Sequence, residues 1–238
     1  MAYKSTYELL KVVVNAIDLT FTATDITENT DGTYTLASCN TLWATQGFAV
    51  SIGGVNYTIV SVTPNASIIV SGISIPSVKV FELYPPVFYH GTIKATKYEL
   101  DEKPISNAIL SQDRLPMIWL HEPTDEQVNE NALMAIALYS SCELYFMVDA
   151  DFSNWSNDDH YDQAIKPMRN LIDSFMNAVK GSRIINEILI KTSSPKDFAR
   201  WGVYAGKDGG EKTIFERPMS GCRFDVTLPF IRTDAICC

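Results

Sequence analysis

The most constraining stretch of this chain is residues 19–85, where charges become rare and β-branched residues dominate. Short strand-forming runs at 33–37, 48–52, 55–62, 67–70 and 78–83 are punctuated by Asp31-Gly32, Gly53-Gly54, Pro64-Asn65 and Ser71-Gly72. Gly53-Gly54 supplies the positive φ angles that a two-residue hairpin turn needs. Runs this short and this closely spaced predict a small β-rich barrel or sandwich. Tyr84-Pro85-Pro86 ends the module.

The flanks have a different character. Within residues 1–18, Leu9, Leu10, Val13, Val14 and Ile17 form one apolar stripe, predicting a helix over 3–17 that packs on the main domain. Ser5 or Thr6, followed by Glu8, offers its start. Residues 86–238 carry mixed signals and read as an α+β main domain. Strands are predicted at 90–100, 115–120 and 143–148, the last with Leu144, Phe146 and Val148 on one face. Over 124–142 the expectation is a short helical turn, with Thr124 and Gln127 as a capping box, followed by strand. Tyr161, Ile165, Met168, Leu171, Ile172, Phe175, Met176 and Val179 predict a helix over 159–180, started by Asn157 or Asp158 and ended by Gly181. Pro167 should kink that helix or restart it, because proline lacks the donor and crowds the preceding turn. Strands at 184–191 and 222–230 follow, with a turn or mobile loop at 206–210 and a loosely held tail at 232–238. The fold class is α+β: a mixed sheet with two main helices, plus the β-rich module inserted at 19–85.

Composition excludes some functions. With 46% hydrophobic and 20% charged residues, the 238-residue chain can bury a sizeable core. Its 19 basic residues are outnumbered by 28 acidic ones, for a formal net charge of -9, and no basic run exists. A protein that grips nucleic acid neutralises phosphates with Lys and Arg, so stable DNA binding is not expected. Cys39, Cys142, Cys222, Cys237 and Cys238 are an odd, scattered set, read as reduced thiols made in a cytoplasm. The N-terminus does not read as a signal peptide. The apolar stretch 133–148 is broken by Ser140, Ser141 and Glu143 and is too short to span a bilayer, so no membrane partner is expected.

Candidate chemistry is sparse. Asp149, Asp151, Asp158, Asp159 and His160 could together bind a divalent metal and activate water, making a metal-dependent hydrolase the main alternative function. The reading preferred here is that Asp149 and Asp151 leave a strand into a polar loop, while Asp158 and Asp159 complement a helix N-terminus. His90, His121 and His160 are isolated, and no Cys-x-x-Cys pair offers zinc spacing. Residues 202–207 fail as a phosphate loop, since only three residues separate the glycines and Asp208 follows the lysine. No Gly-x-Ser-x-Gly nucleophile motif occurs. No catalytic, cofactor-binding or metal-ligating residue is therefore assigned. A third possibility is a host-glycan-binding module presenting Trp43, Tyr57 and neighbouring loops. Trp43, Phe48, Tyr84, Tyr89, Trp119, Trp155 and Trp201 are otherwise interface or core aromatics, with core expected at least as much as interface for Trp119.

The segments 115–120 (Leu-Pro-Met-Ile-Trp-Leu) and 143–149 (Glu-Leu-Tyr-Phe-Met-Val-Asp), the Trp155 turn, Ile165-Lys166-Pro167-Met168 and 221–230, which ends in Leu-Pro-Phe, carry a resemblance. In that order they are similar to the neck and tail joining proteins of tailed bacteriophages: head-to-tail ring, tail-terminator and tail-completion proteins, with a style similar to those of crAss-like phages. The resemblance covers roughly residues 85–231 and the first helix; the stretch 19–83 departs from it. It implies a tail-terminator-like fold and a virion protein forming a six- or twelvefold ring of identical copies. Such a ring meets portal, adaptor or tail ring proteins, and DNA passes through its lumen without specific binding. These families are not enzymes, and no cofactor is implied.

Overall fold

The computed structural model describes residues 5–72, 74, 78–102, 114–128, 136–207 and 210–231. Helix α1 (Thr6–Val14) opens with a capping box: Ser5 Oγ accepts from Glu8 N, and the Glu8 carboxylate accepts from Ser5 N. It ends at Val14, three residues sooner than the stripe implied, with Asn15 as its C-cap, and buries Leu9, Leu10, Val13 and Val14.

Seven strands follow: β1 (Thr20–Thr22), β2 (Asp25–Glu28), β3 (Thr33–Ala37), β4 (Ala49–Ile52), β5 (Val55–Thr63), β6 (Ser67–Ser71) and β7 (Val80–Leu83). They lie side by side in the order β1-β7-β4-β5-β6-β3-β2, every pair antiparallel. The two end strands are consecutive in the chain. At the bend between them, Ala23 N donates to Lys79 O on one side of the sheet and Thr24 N donates to Ala37 O on the other. One bent strand thus joins both edges, and the sheet closes into a barrel filled by Leu36, Val50, Ile59, Ile68, Val70 and Phe81. Gly53 and Gly54 adopt φ of 58° and 83° in the β4–β5 hairpin, as the turn requires. The five expected strands are present; β1 and β2 were not anticipated, because three or four residues with a single apolar side chain carry little periodic signal.

The rest builds a mixed sheet from β8 (Val87–Gly91), β9 (Met117–Val128), β10 (Ile136–Asp149), β11 (Lys191–Thr192), β12 (Lys196–Trp201) and, after a small hairpin of β13 (Val203–Ala205) and β14 (Glu211–Thr213), β15 (Met219–Ile231). The order is β11-β15-β10-β9-β8, with β12 also on β15; only β8 and β9 are parallel. Gly221 in β15 allows the closest approach, since a Cβ there would run into the Phe146 carbonyl and lie 2.9 Å from Met147 Cα. The long helical segment comprises α3 (Asn157–His160), a π-helical turn (Tyr161–Ile165) and α4 (Lys166–Gly181), after the short α2 (Ile93–Lys97) earlier in the chain. The π turn answers the Pro167 question. Lys166 N bonds Tyr161 O, five residues back, and the widened turn lets proline begin α4 without an opposing carbonyl to crowd. Phe175 of α4 meets Phe146 of β10 edge-on at 5.7 Å, and α1 packs beside α4 on this same side of the sheet.

Several expectations need correction. Residues 90–100 are not a strand: β8 ends at Gly91, Thr92 Oγ1 accepts from Ala95 N, and α2 with a π turn (Tyr98–Glu102) follows. Thr124 and Gln127 form no capping box but belong to β9, whose Glu126 and Gln127 pair with Ser140 and Tyr139. Residues 184–191 are mostly not strand: Ile185 makes an isolated bridge to Phe230, and Asn186 caps a 3-10 turn (Glu187–Leu189). Ser156, not Asn157 or Asp158, caps α3, and Gly181 lies inside α4, which Ser182 terminates. Gly206 N bonds Gly210 O in the expected turn. Asp208, Gly209, the tail 232–238 with Cys237 and Cys238, and residues 129–135 of the ambiguous segment lie outside the described residues.

Candidate functional site

The acidic cluster sits where β10 leaves the sheet. Three of its carboxylates have local work, while Asp158 sits exposed in the first turn of α3. Asp151 accepts from Ser153 N at 3.0 Å, Asn154 N at 3.1 Å and Asn154 Nδ2 at 2.6 Å, shaping the loop around Trp155. Those hydrogen bonds, led by Asn154, hold its carboxyl below the usual carboxylate range. Asp159 closes a capping box on α3, accepting from Ser156 N at 2.8 Å, and its pKa is likewise lowered by Ser156. Asp149 faces Arg217 at 3.4 Å; burial pushes its carboxyl up, and the guanidinium only partly offsets this. The Asp149 Oδ1 atom is buried and has no hydrogen-bond partner among the described residues. Asp149 also borders a cleft of about 530 Å³ between the barrel and the sheet end, walled by Phe48, Phe152, Trp155 and Pro218. Among the described residues, no three His, Cys, Asp or Glu side chains converge to hold a metal ion.

His160 is the one buried histidine. Its Nδ1 lies 3.0 Å from Ser220 Oγ, a spacing that resembles a nucleophile with its base. The proton count argues otherwise. Ser220 Oγ donates to Ala199 O, so the hydroxyl is left to accept from His160 Nδ1–H. The serine proton points away from the imidazole, and Ser220 is itself fully buried. Burial pulls the His160 pKa below its ordinary value, aided by the Arg200 charge, with Asp159 and Asp151 opposing. This is a neutral imidazole fixing α3 against β15, and its Nε2 is buried without a partner among the described residues. The two buried thiols are held protonated: burial pushes Cys142 up to about 11 and raises Cys222 strongly.

The sheet face away from the helices carries a second constellation. Trp119 stacks on Tyr145 at 5.0 Å, and Trp201 and Phe215 pack edge-on against Trp119. Trp119 Nε1 donates to Gly91 O at 3.0 Å, so Trp119 is core, as expected. Beside it, Arg223 bridges Glu143 at 2.9 Å and Asp225 at 2.8 Å, and Tyr145 Oη donates to Glu143 at 2.6 Å. Burial and that carboxylate push Tyr145 to about 12. Lys196, 3.6 Å from Asp225, adds a second positive charge, so the two carboxylates are each ion-paired. His90 stacks on Tyr7 at 3.7 Å, and His121 lies 3.6 Å from Glu143.

The aromatic residues nominated for glycan contact do not present themselves. Trp43 is 1% exposed, with its Nε1 on Tyr84 O, and Tyr57 is 3% exposed. Both belong to the buried core.

Surface features that residue patterns did not reveal are the sheet's lateral edges. β8 covers β9 only as far as His121, so among the described residues the outer side of 122–128 pairs with nothing. Pro123 in this stretch was the available signal, since proline is confined to strand positions needing no ladder donor. At the opposite edge, Ile188 is 87% exposed on the turn that leads into β11, with Leu189 beside it. Among the described residues, no helix is long and apolar enough to cross a membrane. Comparison with protein-family models, with curated proteins and with solved structures finds no match to this chain.

Proposed function

We propose that this chain is a non-enzymatic structural subunit that assembles into a closed ring in the neck or tail of a tailed bacteriophage. Six or twelve copies would surround the DNA channel, with portal, adaptor or tail ring proteins as neighbours. The tail-terminator-like reading of the mixed sheet belongs to this proposal. The supporting observation is the open outer edge of β9 over 122–128, a row of strand groups available to another chain. Several of the carboxylates around the acidic cluster and the aromatic face are committed to caps, loop turns and mutual ion pairs, which favours surface contact as the use of this architecture. A net charge of -9 suits a lumen that DNA traverses without sticking. Negative-stain electron microscopy of the purified protein, alone and mixed with its neck neighbours, tests the proposal. Annular particles with a central hole are expected; isolated single subunits under every condition would contradict it.

A further inference from the structure

The transverse rows of the main sheet show what the open edge is shaped to receive. Asp125 at the β9 edge pairs with Ser141, Ser141 with Thr227, and Thr227 with Lys191 at the β11 edge. One row therefore begins in a carboxylate and ends in an ammonium. All four side chains share the sheet face away from the helices: Phe146 points to α4, so Ser141, five positions before it, points to the other side, where its Oγ lies 3.2 Å from Thr227 Oγ1. Asp125 and Lys191 are both exposed, and neither forms an ion pair among the described residues. Several other charges near the edges are already committed: Glu126 accepts from Thr6 at the start of α1, Asp197 holds Arg169, and Arg200 holds Phe152 O and Glu211.

We infer that the β9 edge of one copy receives the β11 edge of a second copy, with Asp125 opposite Lys191, so that the mixed sheet continues from subunit to subunit. This rests on the ring reading and names its contact. The strand directions permit it. β9, β10, β15 and β11 are successively antiparallel, so β11 runs opposite to β9, and a neighbour in the same orientation meets it as an antiparallel partner. The register is self-consistent as well. Placing Asp125 opposite Lys191 in an antiparallel pair directs the turn before β11, which carries Ile188, toward the Val128 end of β9. Val128 and Ile188 are two of the exposed apolar side chains, at 49% and 87%. A hydrophobic contact and an ion pair thus arise from one alignment. The contact joins two different edges, so it is heterologous, and the rotation between successive copies closes it into a ring.

Charge swapping tests this in the full-length chain, read by sedimentation velocity over a concentration series. Asp125→Lys and Lys191→Asp each place like charges at the junction and should raise the concentration for half-assembly roughly tenfold or more. Ile188→Asp should do the same. Combining Asp125→Lys with Lys191→Asp in one chain restores the opposition and should return assembly to near the wild-type range. Mixing the two single variants should also restore it, as rings of alternating copies. Wild-type rings that tolerate every one of these changes would overturn the inferred contact while leaving the ring reading intact. A wild-type chain that stays monomeric at all concentrations would overturn both.

Discussion

At the level of single residues, burial and hydrogen-bond direction decide what a reactive side chain can do. His160 has a carboxylate-rich approach in sequence and a serine at bonding distance, yet its environment keeps it neutral and its partner's proton is spent on Ala199 O. The pH consequence has a definite sign. With the folded pKa below 6.5, both states are neutral above that value and the full contribution to stability is present. As pH falls through 6.5, the unfolded chain takes up a proton first, and stability declines until the folded imidazole also titrates. Urea unfolding at pH 7 and pH 5 should therefore show a loss for the wild type that is smaller in His160→Gln. Equal losses in the two proteins would remove this role. The nearness of Asp149, Asp151 and His160 was legible because they are close in the chain. Ser220 and Ala199, which help determine their chemistry, arrive from β15 and β12, and Arg217 from the segment just before β15, and only the folded topology brings them in.

Among elements, those with strong local periodicity were legible, and those defined by distant pairing were not. β3 to β7 could be read because turn residues bracket them, and α4 because its apolar stripe runs unbroken. Residues 90–100 misled because their alternation competes with Thr92, whose capping of Ala95 N starts a helix. The polar end of β9 looked like a helix start because an edge strand over 124–128 has little apolar surface to bury. Barrel closure through β1 and β2 depends on Lys79 and Ala37, both remote in sequence, so no local pattern announces it. The start of the long helical segment depends on the Ser156–Asp159 capping box. Ser156→Ala leaves the Asp159 N–H without its acceptor and should cost about 1 kcal/mol in chemical unfolding. A change indistinguishable from zero would mean the α3 start is held by other contacts, such as His160 on Ser220.

On the scale of the whole molecule, one continuous core runs from the barrel through the sheet to the helices. Asn170 of α4 joins the two parts directly, donating to Leu42 O at 2.7 Å and Asn65 Oδ1 at 3.2 Å. What that scaffold leaves outward is an acidic strand edge on one side and a lysine with an apolar turn on the other. The central claim is that these surfaces exist to meet copies of the same chain. Native mass spectrometry over a range of protein concentrations tests it most directly. The expected result is a closed species at six or twelve times the 26.5 kDa chain mass, growing at the expense of monomer as concentration rises. A spectrum holding only the 26.5 kDa species throughout would contradict the claim.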